Sequence, residues 1–171
     1  VDIGSAFTMT AGTIGGSEAA DANTADSGGG VYVSGGTFTA QGGTVTGNNA
    51  GYGGGVYAQE VLKLSGTAAI TGNTAKREGG GVYAKTLTVS DSVKISGNTA
   101  NFDGGGVFVS NGSFTMNGGS ITGNTVNANG NSSAGNGGGV YVGNFSGSNA
   151  SFTMTGGSIT GNSAANRGSG V

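Results

Sequence analysis

Apolar residues in this chain recur two apart, with Thr, Ser, Tyr or Lys between them, and whole rows of them return at intervals of 25 to 33 residues. Aligned on a recurring Gly-Gly-Gly-Val, the units begin at Val1, Val31, Val56, Val82, Val107 and Val140, with Val171 at the same point of the pattern. Two residues after each valine stands Ile3, Val33, Ala58, Ala84, Val109 or Val142. Further on come Phe7, Phe38, Leu62, Leu87, Phe114 and Phe152, then Met9, Ala40, Leu64, Val89, Met116 and Met154. The last row is Ile14, Val45, Ile70, Ile95, Ile121 and Ile159. A period of two is strand alternation. Each unit therefore reads as two or three short strands joined by tight corners. Like rows of successive units must share one core, which a coil of stacked units provides. The expected fold is all-β: a right-handed parallel β-helix of six rungs of about 25 residues or more, because parallel crossovers are almost always right-handed. Residues 1–171 read as a single solenoid segment.

Composition narrows this further. The chain has 41 glycines among 171 residues and no proline, cysteine or histidine. Collagen is excluded, since it needs glycine at every third position and much proline. Disorder fits poorly with 34% apolar residues at fixed intervals. A net charge of −2 offers no basic stripe for nucleic acid. No apolar run is long enough to span a bilayer. Without cysteine or histidine there can be no disulfide, zinc site or histidine-based triad.

The corners are regular. Three residues after the Ile/Val row stands Asn48, Asn73, Asn98, Asn124 or Asn162, with Ser17 as the counterpart in the first unit. Stacked asparagines can bond the backbone of neighbouring rungs, so these five are expected to form a structural ladder. The glycine triplets follow this corner and lead into the first strand. There they supply a left-handed residue and room for close backbone approach. A phosphate cradle is the sharper reading of these glycines and is weighed well below the corner, because no helix follows them and no Lys-Ser/Thr pair is present.

These residues carry a resemblance. The strings ITGN at Ile70, Ile121 and Ile159, VTGN at Val45 and ISGN at Ile95, each followed by GGGV or GSGV, resemble the FxxN and GGA[ILV] repeats of chlamydial polymorphic outer-membrane proteins. Similar repeats occur in bacterial surface proteins of the autotransporter and adhesin kind. The chain differs in having Ile or Val for Phe and Gly for Ala. The resemblance implies an extracellular, cell-surface rod, often adhesive, without catalytic residues.

Between the two valine-type rows lies an aromatic column, Tyr32, Tyr57, Tyr83, Phe108 and Tyr141. It can be an exposed strip that binds sugars or proteins, or a stack that braces the sheet. With the opposite strand parity it would be covered by corner loops. Thr46, Thr71, Ser96, Thr122 and Thr160 form an outward strip, beside Thr13, Thr44, Ala69, Lys94, Ser120 and Ser158. Flat threonine arrays suggest ice binding, and threonine is also a good strand residue.

Eight acids are present. Glu78 and Asp103 each precede a glycine triplet on adjacent units, beside Lys76 and Arg77, and Glu18, Asp21 and Asp26 share the first long loop. Both groups are candidate calcium sites, with a solvated charge cluster as the plainer reading. No other cofactor is expected. Insertions at 17–27, 127–136 and 143–150 read as surface loops, idle or binding.

Function then divides. The leading expectation is a non-enzymatic surface or fibre rod that displays loops or self-associates. The alternatives are a carbohydrate-binding or polysaccharide-cleaving β-helix and an ice-binding solenoid. Partners would be another copy end to end or further repeats of a longer chain, with surface glycans or proteins as other possibilities.

Overall fold

The computed structural model describes residues 1–128, 134–143 and 149–171. Among these the chain is all-β apart from one turn of 3-10 helix at Ala19–Asp21. Every strand pairing is parallel. One large curled sheet and a second sheet of six strands result, an arrangement compatible with a β-solenoid.

Pairing follows the rows read from the sequence. Val56, Val82, Val107 and Val140 are partners in succession, as are Leu62, Leu87, Phe114 and Phe152. Ile70, Ile95, Ile121 and Ile159 do the same. A one-residue slip would turn each apolar set outward, so burial itself holds the register. The interior is apolar: Val56, Val82, Val107 and Val140 are fully buried, with Phe38, Leu62, Leu87, Phe114 and Met116 packed beside them. The strand parity is thus valine inward.

The second sheet lies after the asparagine corner. Its short strands include Thr24–Ser27, Asn49–Tyr52, Thr74–Ala75, Thr99–Ala100, Thr125–Val126 and Ser163–Ala164. The four inner strands each bury one small residue, Ala50, Ala75, Ala100 or Val126, and the last three make a separate small core. Only a methyl or a valine fits there, so this row gives a faint hydrophobic signal in the sequence.

The asparagines form a ladder, and the inner amides of Asn73, Asn98 and Asn124 are saturated. Asn98 Oδ1 accepts from the backbone N–H and the Nδ2 of Asn73, at 2.9 and 3.0 Å. Its own Nδ2 donates to Ile70 O at 3.0 Å and to Asn124 Oδ1 at 2.9 Å. Asn48 and Asn73 repeat this on one side, and Asn124 and Asn162 extend it on the other. Buried amides need such partners for both donors and both acceptor sites. The first unit departs from the expectation. Its ladder residue is Asn23, whose Nδ2 donates to Asn48 Oδ1 at 2.8 Å, and not Ser17. The excursion of the 17–27 insertion therefore precedes Asn23, and Thr24–Ser27 has already rejoined the stack by pairing with Asn49–Tyr52. Of the other insertions, 129–133 and 144–148 lie outside the described residues. Asn136, assigned to the second one, is back in register between Asp103 and Arg167.

The glycine triplet has two separate tasks. Gly79 sits at φ +70°, where a side chain is strained. Gly81 has no such need, but a Cβ there would lie 2.8 Å from Gly106 O and 2.9 Å from Asn98 Cγ. The next repeat occupies the space a side chain would use. We expect Gly81→Ala to destabilise by about 1–3 kcal/mol, as overpacking does. Gly4→Ala, where the nearest atom is Ser34 Oγ at 4.0 Å, should be near neutral. Thermal melts of both variants check this, and equal shifts would remove the close-approach explanation.

Candidate functional site

The aromatic column and the residues before the glycine triplets run side by side along one flank. The column is a continuous stack. Tyr32 to Tyr57 is 5.4 Å between ring centroids, Tyr57 to Tyr83 4.7 Å, Tyr83 to Phe108 4.9 Å and Phe108 to Tyr141 5.3 Å. The rings lie within 23° of parallel. Parallel in-register pairing places like residues one repeat apart, close to ring-stacking distance, so the stack follows from the register. Tyr52 adds an edge-on contact to Tyr83 at 6.0 Å.

This geometry decides what the column can bind. A sugar stacks on a ring face, and the faces between Tyr32 and Tyr141 are taken by neighbouring rings. Mainly ring edges are left to face solvent. The four tyrosines are half-buried. Phe108 corrects the expectation of a uniformly exposed strip, being only 2% exposed. It has a ring on each face and no hydroxyl to keep in water. Burial pushes the Tyr83 and Tyr141 phenols up from their ordinary value.

The neighbouring column contains Tyr52, Glu78, Asp103, Asn136 and Arg167, one per repeat. Gly53 N–H donates to Glu78 O and Gly79 N–H to Asp103 O, both at 3.0 Å. Gly104 and Gly137 continue this to Asn136 O and Arg167 O. The fold therefore brings Glu78 and Asp103 onto successive repeats, as their place before the triplets suggests. Their surroundings differ. Asp103 Oδ1 accepts from the backbone N–H of Asn136 at 2.9 Å and from its Nδ2 at 2.8 Å. Glu78 Oε2 is buried and has no hydrogen-bond partner. Arg77 Nε stands 4.0 Å from that oxygen. The Arg77 guanidinium lies between two rings, 5.1 Å from the Tyr52 centroid and 5.5 Å from that of Phe102. This cation–π sandwich holds the guanidinium beside the carboxylate and too far away to bond it. Tyr52, Arg77 and Phe102 each stand four residues after a ladder asparagine, Asn48, Asn73 and Asn98, but the residue types differ, so the position does not stand out in the sequence.

The other acids do not converge. Glu18, Asp21 and Asp26 are all exposed, with Asp26 inside the strand Thr24–Ser27. Among the described residues no group of three or more acidic, histidine or cysteine side chains could hold a metal ion. We assign no metal ligation to Glu78 or Asp103. On the threonine flank Thr71 Oγ1 donates to Thr46 Oγ1 at 3.1 Å, so these hydroxyls bond each other. Lys94 pairs in register with Ala69 and interrupts the adjoining row. A cavity of about 410 Å³ lies beside Asn136, Gly137, Tyr141, Arg167, Gly168 and Val171. Among the described residues no helix is long and apolar enough to cross a membrane.

Comparison of the chain with protein-family models, curated proteins and solved structures finds no match.

Proposed function

We propose that this chain is a non-enzymatic structural segment of an extracellular bacterial surface protein, a right-handed parallel β-helix of six rungs that serves as a rigid rod. The observation that carries this reading is the register. One amide ladder, one aromatic stack and the apolar rows each keep their partners from repeat to repeat, with the register shifts falling between rows. Parallel crossovers favour the right hand. At about 4.8 Å per rung the rod is on the order of 29 Å long. The surface location rests on the resemblance to polymorphic outer-membrane and autotransporter-type repeats.

The rod's natural neighbour is another repeat of the same kind, from a longer chain or a second copy. Met116, Phe114 and Ile121 are buried beneath the repeat that follows them. Their counterparts in that repeat are uncovered: Met154 is 43% exposed, and Phe152 and Ile159 are half-buried. A further repeat would bury them in the same way.

Negative-stain microscopy and light scattering of the purified chain test the rod and its association. Particles that lengthen with concentration support self-stacking. A monomer that stays short at high concentration leaves a longer chain as the source of the neighbour. Binding on a glycan array, or polysaccharide turnover, that disappears in Glu78→Ala or Asp103→Ala would replace the structural reading with the carbohydrate one.

A further inference from the structure

Glu78 has a backbone built into the stack, while one of its carboxylate oxygens, Oε2, is buried without a hydrogen-bond partner and has only Arg77 Nε near it, at 4.0 Å. Its carbonyl accepts from Gly53 in the preceding repeat, and the next residue, Gly79, donates to Asp103 in the following one. The single peptide unit that joins Glu78 to Gly79 therefore carries the contacts between three consecutive corners. We propose that this corner is an acid-tightened lock between repeats, closed when Glu78 is neutral and loosened when it is ionised.

The groups around Glu78 explain why ionisation is unfavourable. On its own corner Arg77 is the only near cation, at 4.0 Å, and its guanidinium is held between Tyr52 and Phe102. Lys76 is exposed to solvent. From the following corner comes Asp103, a second carboxylate whose Oδ1 already accepts two bonds from Asn136. Tyr83 on the adjoining strand and Tyr52 on the preceding corner complete the surroundings. A buried carboxylate that cannot recover its lost hydration favours the protonated form. Burial accordingly pushes the Glu78 carboxyl above its ordinary value of 4.5, and Asp103 pushes the same way. Its own backbone hydrogen bond and Arg77 pull in the opposite direction and offset this only in part.

The sign follows from linkage. A carboxyl raised on folding binds its proton more tightly in the folded state. Its destabilising effect is absent below 4.5, grows as pH rises through the folded value, and is full above it. Other acids respond to pH too, so the measurement must isolate Glu78. Amide exchange of Gly53 and Gly79, corrected for intrinsic rate, reads the two bonds at this corner. We expect their protection to rise several-fold in the wild type as pH falls from neutral towards 4.5. In Glu78→Gln, which is neutral throughout, protection should be high and flat. Gly105 and Gly138, whose N–H groups donate to Gly137 O and Gly168 O, should not follow the change. Parallel behaviour of the two proteins, or an equal rise at Gly105 and Gly138, overturns the proposal. A check that needs no variant is the Glu78 carboxyl carbon shift of the wild type, where a titration midpoint at or below 4.5 also overturns it.

Discussion

Asn98→Ala should be among the most damaging single substitutions in the chain, with an expected loss of about 2–5 kcal/mol. Four side-chain hydrogen bonds disappear together. The backbone N–H of Asn73 loses its acceptor, and the Ile70 carbonyl loses the Asn98 donor. Asn73 and Asn98 are fully buried, so water cannot replace these bonds without opening the stack. Part of the ladder survives: Asn124 Oδ1 still accepts from the backbone N–H of residue 98, and Asn73 Nδ2 still donates to Val45 O. That is why the estimate stays below a sum over all four bonds. Thr99→Ala, next along the chain and half-buried, should cost less than about 1 kcal/mol. Equal melting shifts for the two variants would show that the ladder contributes no more than ordinary strand residues.

Phe114→Ala is the second large effect, roughly 3–5 kcal/mol. Phe114 is 1% exposed, and its ring stacks on Phe152 at 4.8 Å. Leu87 is its partner in the preceding repeat. Truncation leaves a cavity between parallel strands that the rigid pairing cannot collapse. Tyr83→Ala removes a ring stacked on both faces, yet one that is half-buried, so its loss should be smaller. Chemical denaturation of the pair decides the point. A larger loss at Tyr83 would mean that the outer stack stabilises the repeats more than the interior does. In stacked repeats each substitution weakens one unit and its two neighbours, so fraying from the altered repeat should accompany both core and ladder variants.

The acid response at Glu78 differs in kind from these. It concerns a carboxyl whose ionisation burial disfavours and not a contact that the fold requires. A glutamine there should raise stability at neutral pH, whereas alanine at position 98 or 114 should lower it at any pH.

The sequence by itself determined the apolar rows, their partners and the amide ladder, while the strand parity was settled by the structure. The reason is repetition: a row of like residues must be buried together, whichever face of the strand it lies on. Asparagine was legible for the same cause, since an amide returning three residues after the Ile/Val row needs partners above and below it. Three further matters were decided only by the tertiary structure. Asn23 joins the ladder instead of Ser17, because closure of the first corner depends on where the chain returns and not on its distance from Ile14. Phe108 is buried although its row is half-exposed, because rings on either side close over a residue with no polar group to keep wet. Glu78 has an unbonded buried oxygen because Arg77 is drawn between Tyr52 and Phe102; all three stand four residues after a ladder asparagine, yet only the folded side chains show that the guanidinium lies between the rings and not on the carboxylate.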